Sequence, residues 1–191
     1  MEQAVKDAVA LAYTLGAYKA AVIPVSAIVL DESFRQLCAA NSCGRYGRCW
    51  MCPPDVGEIG PLMARVRGFG RALVYQTVGQ LEDSYDIEGM QQAGKVHNDL
   101  VQQLKVRLSE GPFAGALHLG AGSCQVCERC AKADGLPCRF PQKAIPSLEA
   151  HGIHVSKLAE ACGMRYINGQ NTVTYFGAVL FGAPDGAEGA E

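Results

Sequence analysis

Long apolar runs are scarce in these 191 residues. The longest, Ala20 to Leu30, is about eleven residues and contains Pro24, roughly half of what a bilayer-spanning helix needs. A basic leader is missing too. Met1-Glu2-Gln3-Ala4 carries no Lys or Arg, and Asp7 interrupts any apolar segment behind it. Charge of one sign is not in excess. Lys and Arg number 17 against 19 Asp and Glu, and the formal charge of −2 argues against nucleic-acid binding, whose footprint is basic. The phosphate-cradling spacings GxGxxG and GxxxxGK[ST] are absent, and Gly120-Ala121-Gly122 is too short a fragment of either. The CxxxCxxC spacing of radical S-adenosylmethionine enzymes is absent as well, and no Ser-His-Asp or Cys-His catalytic set can be assembled. There is no internal repeat, and low complexity is confined to the Gly-, Ala- and acid-rich tail. These gaps point to a cytoplasmic protein that engages neither membrane nor nucleic acid.

Cysteine, in contrast, is abundant. There are nine, and eight fall into two runs. The first is Cys38-x4-Cys43-x5-Cys49-x2-Cys52, followed by Pro53-Pro54. The second is Cys124-x2-Cys127-x2-Cys130-x7-Cys138, with Pro141 shortly after. Core cysteines act as small hydrophobes and have no reason to cluster among Gly, Pro, Arg and Asn. In a reducing compartment, grouped cysteines are metal ligands more often than disulfides. With 49% apolar residues the chain can build a core of its own, so the metal need not be there merely to fold it.

The spacing bears on which metal. Successive two-residue gaps turn three thiolates toward one centre, as in the ferredoxin run CxxCxxCxxxCP. Cys124, Cys127 and Cys130 have that form, with Cys138 as a later fourth ligand. A structural zinc site typically uses two separated CxxC knuckles, which the second run lacks. A [4Fe-4S] cluster is therefore favoured there. The first run has one knuckle, Cys49 and Cys52, so [4Fe-4S] leads zinc by less, and one cubane plus one zinc stays open. A thiolate-ligated cluster is an anion, and Arg45, Arg48, Arg129, Lys132, Arg139 and Lys143 lie within or beside the runs to offset it. Gly44, Gly47, Gly120 and Gly122 are expected to let backbone N–H groups approach sulfur, which tunes cluster potential.

Periodicity gives the framework. Helices are predicted over Glu2–Gly16, Glu88–Glu110 and Val155–Gly163. Strands are predicted over Ala20–Leu30, Arg71–Val78, Phe113–Leu119 and Thr172–Phe181. The expectation is one α+β domain over residues 1–181 with a flexible tail over 182–191. It has a four-stranded, largely antiparallel or mixed sheet, helices packed on it with the two longer ones on one face, and both cysteine loops at one end. Strand–helix alternation in mid-chain leaves an α/β arrangement with parallel pairs as the alternative.

The two motifs also carry a resemblance. Cys43-Gly44-Arg45-Tyr46-Gly47-Arg48-Cys49-Trp50-Met51-Cys52-Pro53-Pro54 is similar to the first signature of domain-of-unknown-function family 2284, the predicted metal-binding proteins. The stretch from Gly122 through Cys130, then Pro137-Cys138-Arg139-Phe140-Pro141 and the segment to Val155, resembles the second. The resemblance implies iron–sulfur or other metal binding at the eight cysteines and no particular activity.

Other residues have plainer readings. Cys162 sits in a helical pattern and reads as core. His97 reads as a surface or interface position in mid-helix. His118 alternates with Leu117 and Leu119 and reads as packing. His151 and His154 follow the second motif and are minor candidates for ligation or proton relay. Trp50 and Tyr46 are expected to shield a cluster from water.

Three functions remain. Eight thiolates can saturate two cubanes, and saturated iron favours oxygen-sensitive electron transfer to a redox partner protein. If the late ligand Cys138 is displaceable, a labile iron would permit sulfur transfer or small-molecule activation. A structural-zinc interaction module is the third.

Overall fold

The computed structural model describes residues 1–184. The expected flexible tail therefore lies, from residue 185 on, outside the described residues. In chain order the elements are α1 (Glu2–Thr14), β1 (Lys19–Pro24), α2 (Phe34–Ala39), α3 (Ile59–Arg67), β2 (Arg71–Gln80), α4 (Ile87–Arg107), β3 (Leu117–Leu119), α5 (Val155–Ala161) and β4 (Thr172–Phe181). The sheet has the order β1-β2-β4-β3, and every neighbouring pair is antiparallel. The largely antiparallel α+β reading holds, and the parallel alternative does not.

β2 and β4 are central and are covered on both sides. Alternate residues of β2 point to opposite faces: Leu73 and Tyr75 join Val5, Ala8 and Ala12 of α1 and Leu100, Val101 and Leu104 of α4. Ala72 and Val74 join Val66 of α3 and Val155, Leu158 and Ala159 of α5. The two longer helices thus share one face, as the sequence suggested, and the shorter α3 and α5 cover the other. α4 is capped by Asp86, whose carboxylate accepts from the Gly89 N–H at 2.7 Å.

α4 lies close against β2 because Gly79 faces it. A Cβ at Gly79 would come within 2.5 Å of the Ala93 Cβ and 3.2 Å of Val173. Gly79→Ala is therefore expected to push the helix off the sheet and cost about 1–3 kcal/mol, read as a lower urea midpoint with unchanged slope.

Two predicted strands need correction, and two helices were not predicted. The strand expected over Ala20–Leu30 stops at Pro24, and Val25–Ala27 forms a 3-10 turn. Its apolar residues Val25 and Ile28 are buried in the α3/α5-side core rather than paired in the sheet. Of Phe113–Leu119 only the last three residues are strand; Phe113 ends a 3-10 turn and packs its ring 4.7 Å from that of Phe181. α2 and α3 fall in stretches where no helix was expected.

β1 and β3 are the two outer strands, and each leads into one cysteine run. Two short bridges draw the loops together. Gly120 bridges Ser147, with the Gly120 N–H donating to the Pro146 carbonyl at 2.9 Å and the Leu148 N–H to the Gly120 carbonyl at 3.0 Å. Leu30 bridges Ile153, with the Asp31 N–H donating to the Gly152 carbonyl at 2.7 Å. The first loop is thereby fastened to the segment that closes the second.

Candidate metal centre

Apart from Cys38, which ends α2, the cysteines of both runs lie on loops, and a side-chain latch joins the two runs. Lys132, in the second run, forms an ion pair with Asp55, just past the first. Its ammonium also sits 4.5 Å from the centroid of the Trp50 ring. Trp50 Nε1–H donates to the Leu136 carbonyl at 3.0 Å. The Asp55–Lys132 pair is partly buried, and the second carboxylate oxygen of Asp55 is buried without a partner. Lys132→Met would strand that carboxylate. We expect a loss of about 1–3 kcal/mol, read by urea unfolding and partly restored by adding Asp55→Asn.

The cysteines gather along this junction. Cys49 is 1% exposed, the most buried of the nine. Cys52 acts on its thiol most strongly, and Met51, Cys124 and Cys130 also stabilise the thiolate. Together they pull its thiol down to about 6, with burial opposing them. Cys52 is pushed up in turn by Cys49 and by burial. Burial likewise raises Cys38 and Cys124.

Two cavities flank the junction. One, of about 310 Å3, is lined by Cys38, Cys43 and Cys52 together with Arg45, Tyr46, Ser123 and Glu149. The other, small at about 20 Å3, is ringed by Cys49, Cys124, Cys127, Cys130 and Cys138, with Trp50, Met51 and Phe140 among its walls. A cleft of about 520 Å3 runs along the outer side of Cys124 and Cys127 between α4 and the second loop, with Arg45, Lys95, Gln125 and Tyr175 on its walls. Among the described residues, no three Cys, His, Asp or Glu side chains already stand in the arrangement of a single-ion site. The donors are thiols, the second ring is mostly apolar, and cations stand close by. That chemistry suits a soft, thiolate-bound metal centre.

The expected charge offset is partial. Arg45 and Arg139 line the cavities, whereas Lys132 and Arg129 are paired with Asp55 and Asp134. Lys143 lies beside the Phe140 ring. Lys105 was not expected. It stands on α4, donates to the Ala144 carbonyl at 3.2 Å, and feels the charge of Cys124; burial lowers its pKa. The only signal for it was its place next to the buried Leu104.

The glycine expectation is corrected. The N–H groups of Gly44, Gly47 and Gly120 donate to the carbonyls of Asn41, Pro53 and Pro146, not to sulfur. The backbone groups that lower the thiol pKa values of Cys49 and Cys124 are instead those of Met51, Cys124, Val126 and Ile145. Gly44 and Gly47 serve as turn residues, at φ 69° and 66°.

His97 is also corrected. It is 2% exposed, not at the surface, because α4 packs closely over β2. Its Nδ1 lies 2.9 Å from Thr77 Oγ1, and its ring is flanked by Tyr75 and Tyr175. His118 and His151 are buried, and burial holds all three histidines down to about 4. His154 is half-buried against Phe34. Cys162 packs against the core as expected, and burial raises it to about 11. Trp50 and Tyr46 do line the cavity walls.

Comparison with known proteins gives one match. A model of a family described as predicted metal-binding protein (DUF2284) covers residues 21–181. No curated protein and no solved structure matches.

Proposed function

We propose that this chain, which belongs to the DUF2284 family of predicted metal-binding proteins, holds two [4Fe-4S] clusters among its eight clustered cysteines. On this reading it passes single electrons to a redox partner protein in the cytoplasm. The observation that carries it is the gathering of eight thiols from two distant runs into two adjoining cavities. A bound cubane would supply one-electron redox chemistry at an iron held by sulfur. The chain's own part is to exclude water and orient the thiolates. Trp50 and Phe140 wall the second cavity, and the Lys132–Asp55 latch keeps the two loops in register. The cleft beside Cys124 and Cys127 gives a partner protein close approach to the ligating sulfurs. Among the described residues no helix is long and apolar enough to cross a membrane.

Anaerobic purification with iron, zinc and sulfide analysis tests the reading. About eight iron and eight sulfide per chain are expected for two cubanes. About four of each with one zinc would leave only the second site as a cluster. Zinc alone would end the iron–sulfur reading in favour of a structural-zinc module. A second reading, an enzyme with one labile iron, has a specific observation behind it. The larger cavity presents three cysteines, not four.

A further inference from the structure

The two runs are each four cysteines long, so a division of one centre per run is the natural expectation. The cavities divide the sulfurs differently. Cys38, Cys43 and Cys52 face the larger cavity; Cys49 faces the smaller one with all four cysteines of the second run. We propose that the eight cysteines divide by cavity and not by run. Cys49 joins Cys124, Cys127 and Cys130 around the second centre, and Cys38, Cys43 and Cys52 hold the first with three thiolates and one coordination position open to a small ligand.

Three observations carry this. Cys49 is buried and lines the small cavity together with Cys124, Cys127 and Cys130. Cys49 and Cys52, the two ends of the knuckle, line different cavities, so the knuckle stands between them with one thiol on each side. The CxxCxxC triplet fills three corners of a cubane, so only one more thiolate is needed. Cys49 is buried at that position, whereas Cys138 arrives through a seven-residue loop and is the spare fifth sulfur. On the other side no fourth sulfur and no histidine lines the cavity. The remaining wall is Arg45, Tyr46, Ser123, Ser147 and Glu149, around about 310 Å3 of space. A small molecule bearing a donor atom for iron fits there. The open position rests on the iron–sulfur reading; the division of the sulfurs does not.

The test uses the full chain, loaded anaerobically and reduced, with electron paramagnetic resonance as readout. Cys43→Ala identifies the signal of the first centre, and Cys127→Ala that of the second. Cys49→Ala is expected to abolish the signal that Cys127→Ala abolishes and to spare the other. Cys138→Ala is expected to keep both. Added cyanide should shift only the signal assigned by Cys43→Ala. If Cys49→Ala removes the Cys43-dependent signal, both signals or neither, the division is wrong. If cyanide leaves the first signal unmoved, the open position is wrong. Because Cys49 is buried, a second measurement leaves it intact. In metal-loaded Cys43→Ala, iodoacetamide should label Cys38 and Cys52 while Cys49 stays protected along with Cys124, Cys127 and Cys130. Labelled Cys49 overturns the division. If the chain holds zinc and no iron, the cluster reading fails while the labelling pattern still decides the division.

Discussion

Cys127→Ala is expected to strip about half of the bound iron and sulfide, whereas Cys162→Ala leaves both untouched. Cys127 is the middle thiol of the CxxCxxC triplet and lines the small cavity beside Cys124 and Cys130. Removing it breaks the triplet that wraps three corners of a cubane there, and a cluster that loses a ligand in this way is prone to fall apart. The other centre should persist, because Cys38, Cys43 and Cys52 line a different cavity. Cys162 caps the C-terminal end of α5 and packs on the core far along the chain from either run. Its substitution should register only as a small change in stability. Iron and sulfide assays on the two variants, purified side by side without oxygen, check this. Equal losses in both would mean that the ninth cysteine is a ligand.

Acid should destabilise the fold steeply well before its carboxylates are fully protonated. His97, His118 and His151 are buried and held near 4 by desolvation, against an ordinary 6.5. Lys105 adds to the effect at His118, and Arg65 and Arg35 add to it at His151. The fold therefore keeps these rings neutral, while the unfolded chain protonates them below about 6.5. The unfolded state binds more protons, so stability is present above pH 6.5 and lost as pH falls toward 4. Each ring can contribute up to about 3 kcal/mol of this loss, a large share of a typical domain's margin. Burial raises the Glu149 carboxyl, which works in the opposite sense and trims the slope. Urea midpoints taken between pH 7.5 and 4.5 should fall continuously, and His97→Phe should flatten the curve. A flat profile between pH 7 and 5 would contradict the burial of these rings.

The central strands were legible because β2 and β4 are buried on both faces, which makes them continuous apolar runs. The same rule misled at Val25 and Ile28, which are apolar for packing and not for pairing. α3 was missed; Gly60 and Pro61 weaken its local helix signal, yet both lie in its first turn, where no intrahelical N–H bond is lost. The two cysteine runs could be read from spacing alone. Both loops were expected at one end, but the contacts that join them could not be read. They are the Gly120–Ser147 and Leu30–Ile153 bridges and Lys132 reaching Asp55, and none of these has a local pattern. His97 was misplaced because a helix periodicity that reads apolar residues alone assigns a lone histidine to the outside, and here the close approach at Gly79 brings it in.

The burial of Cys49 among the cysteines of the second run has a consequence during synthesis. Cys49 emerges from the ribosome well ahead of Cys124, by roughly 4 to 15 s at about 5–20 residues per second. Through that interval its thiol has no partners from the second loop, and the latch has no Lys132. The small cavity cannot form on the nascent amino-terminal half. A metal held there would have to be delivered late, to a chain whose early cysteines have already waited in the open, and a ribosome stalled between α4 and β3 would leave them exposed to oxidants for as long as it stayed there.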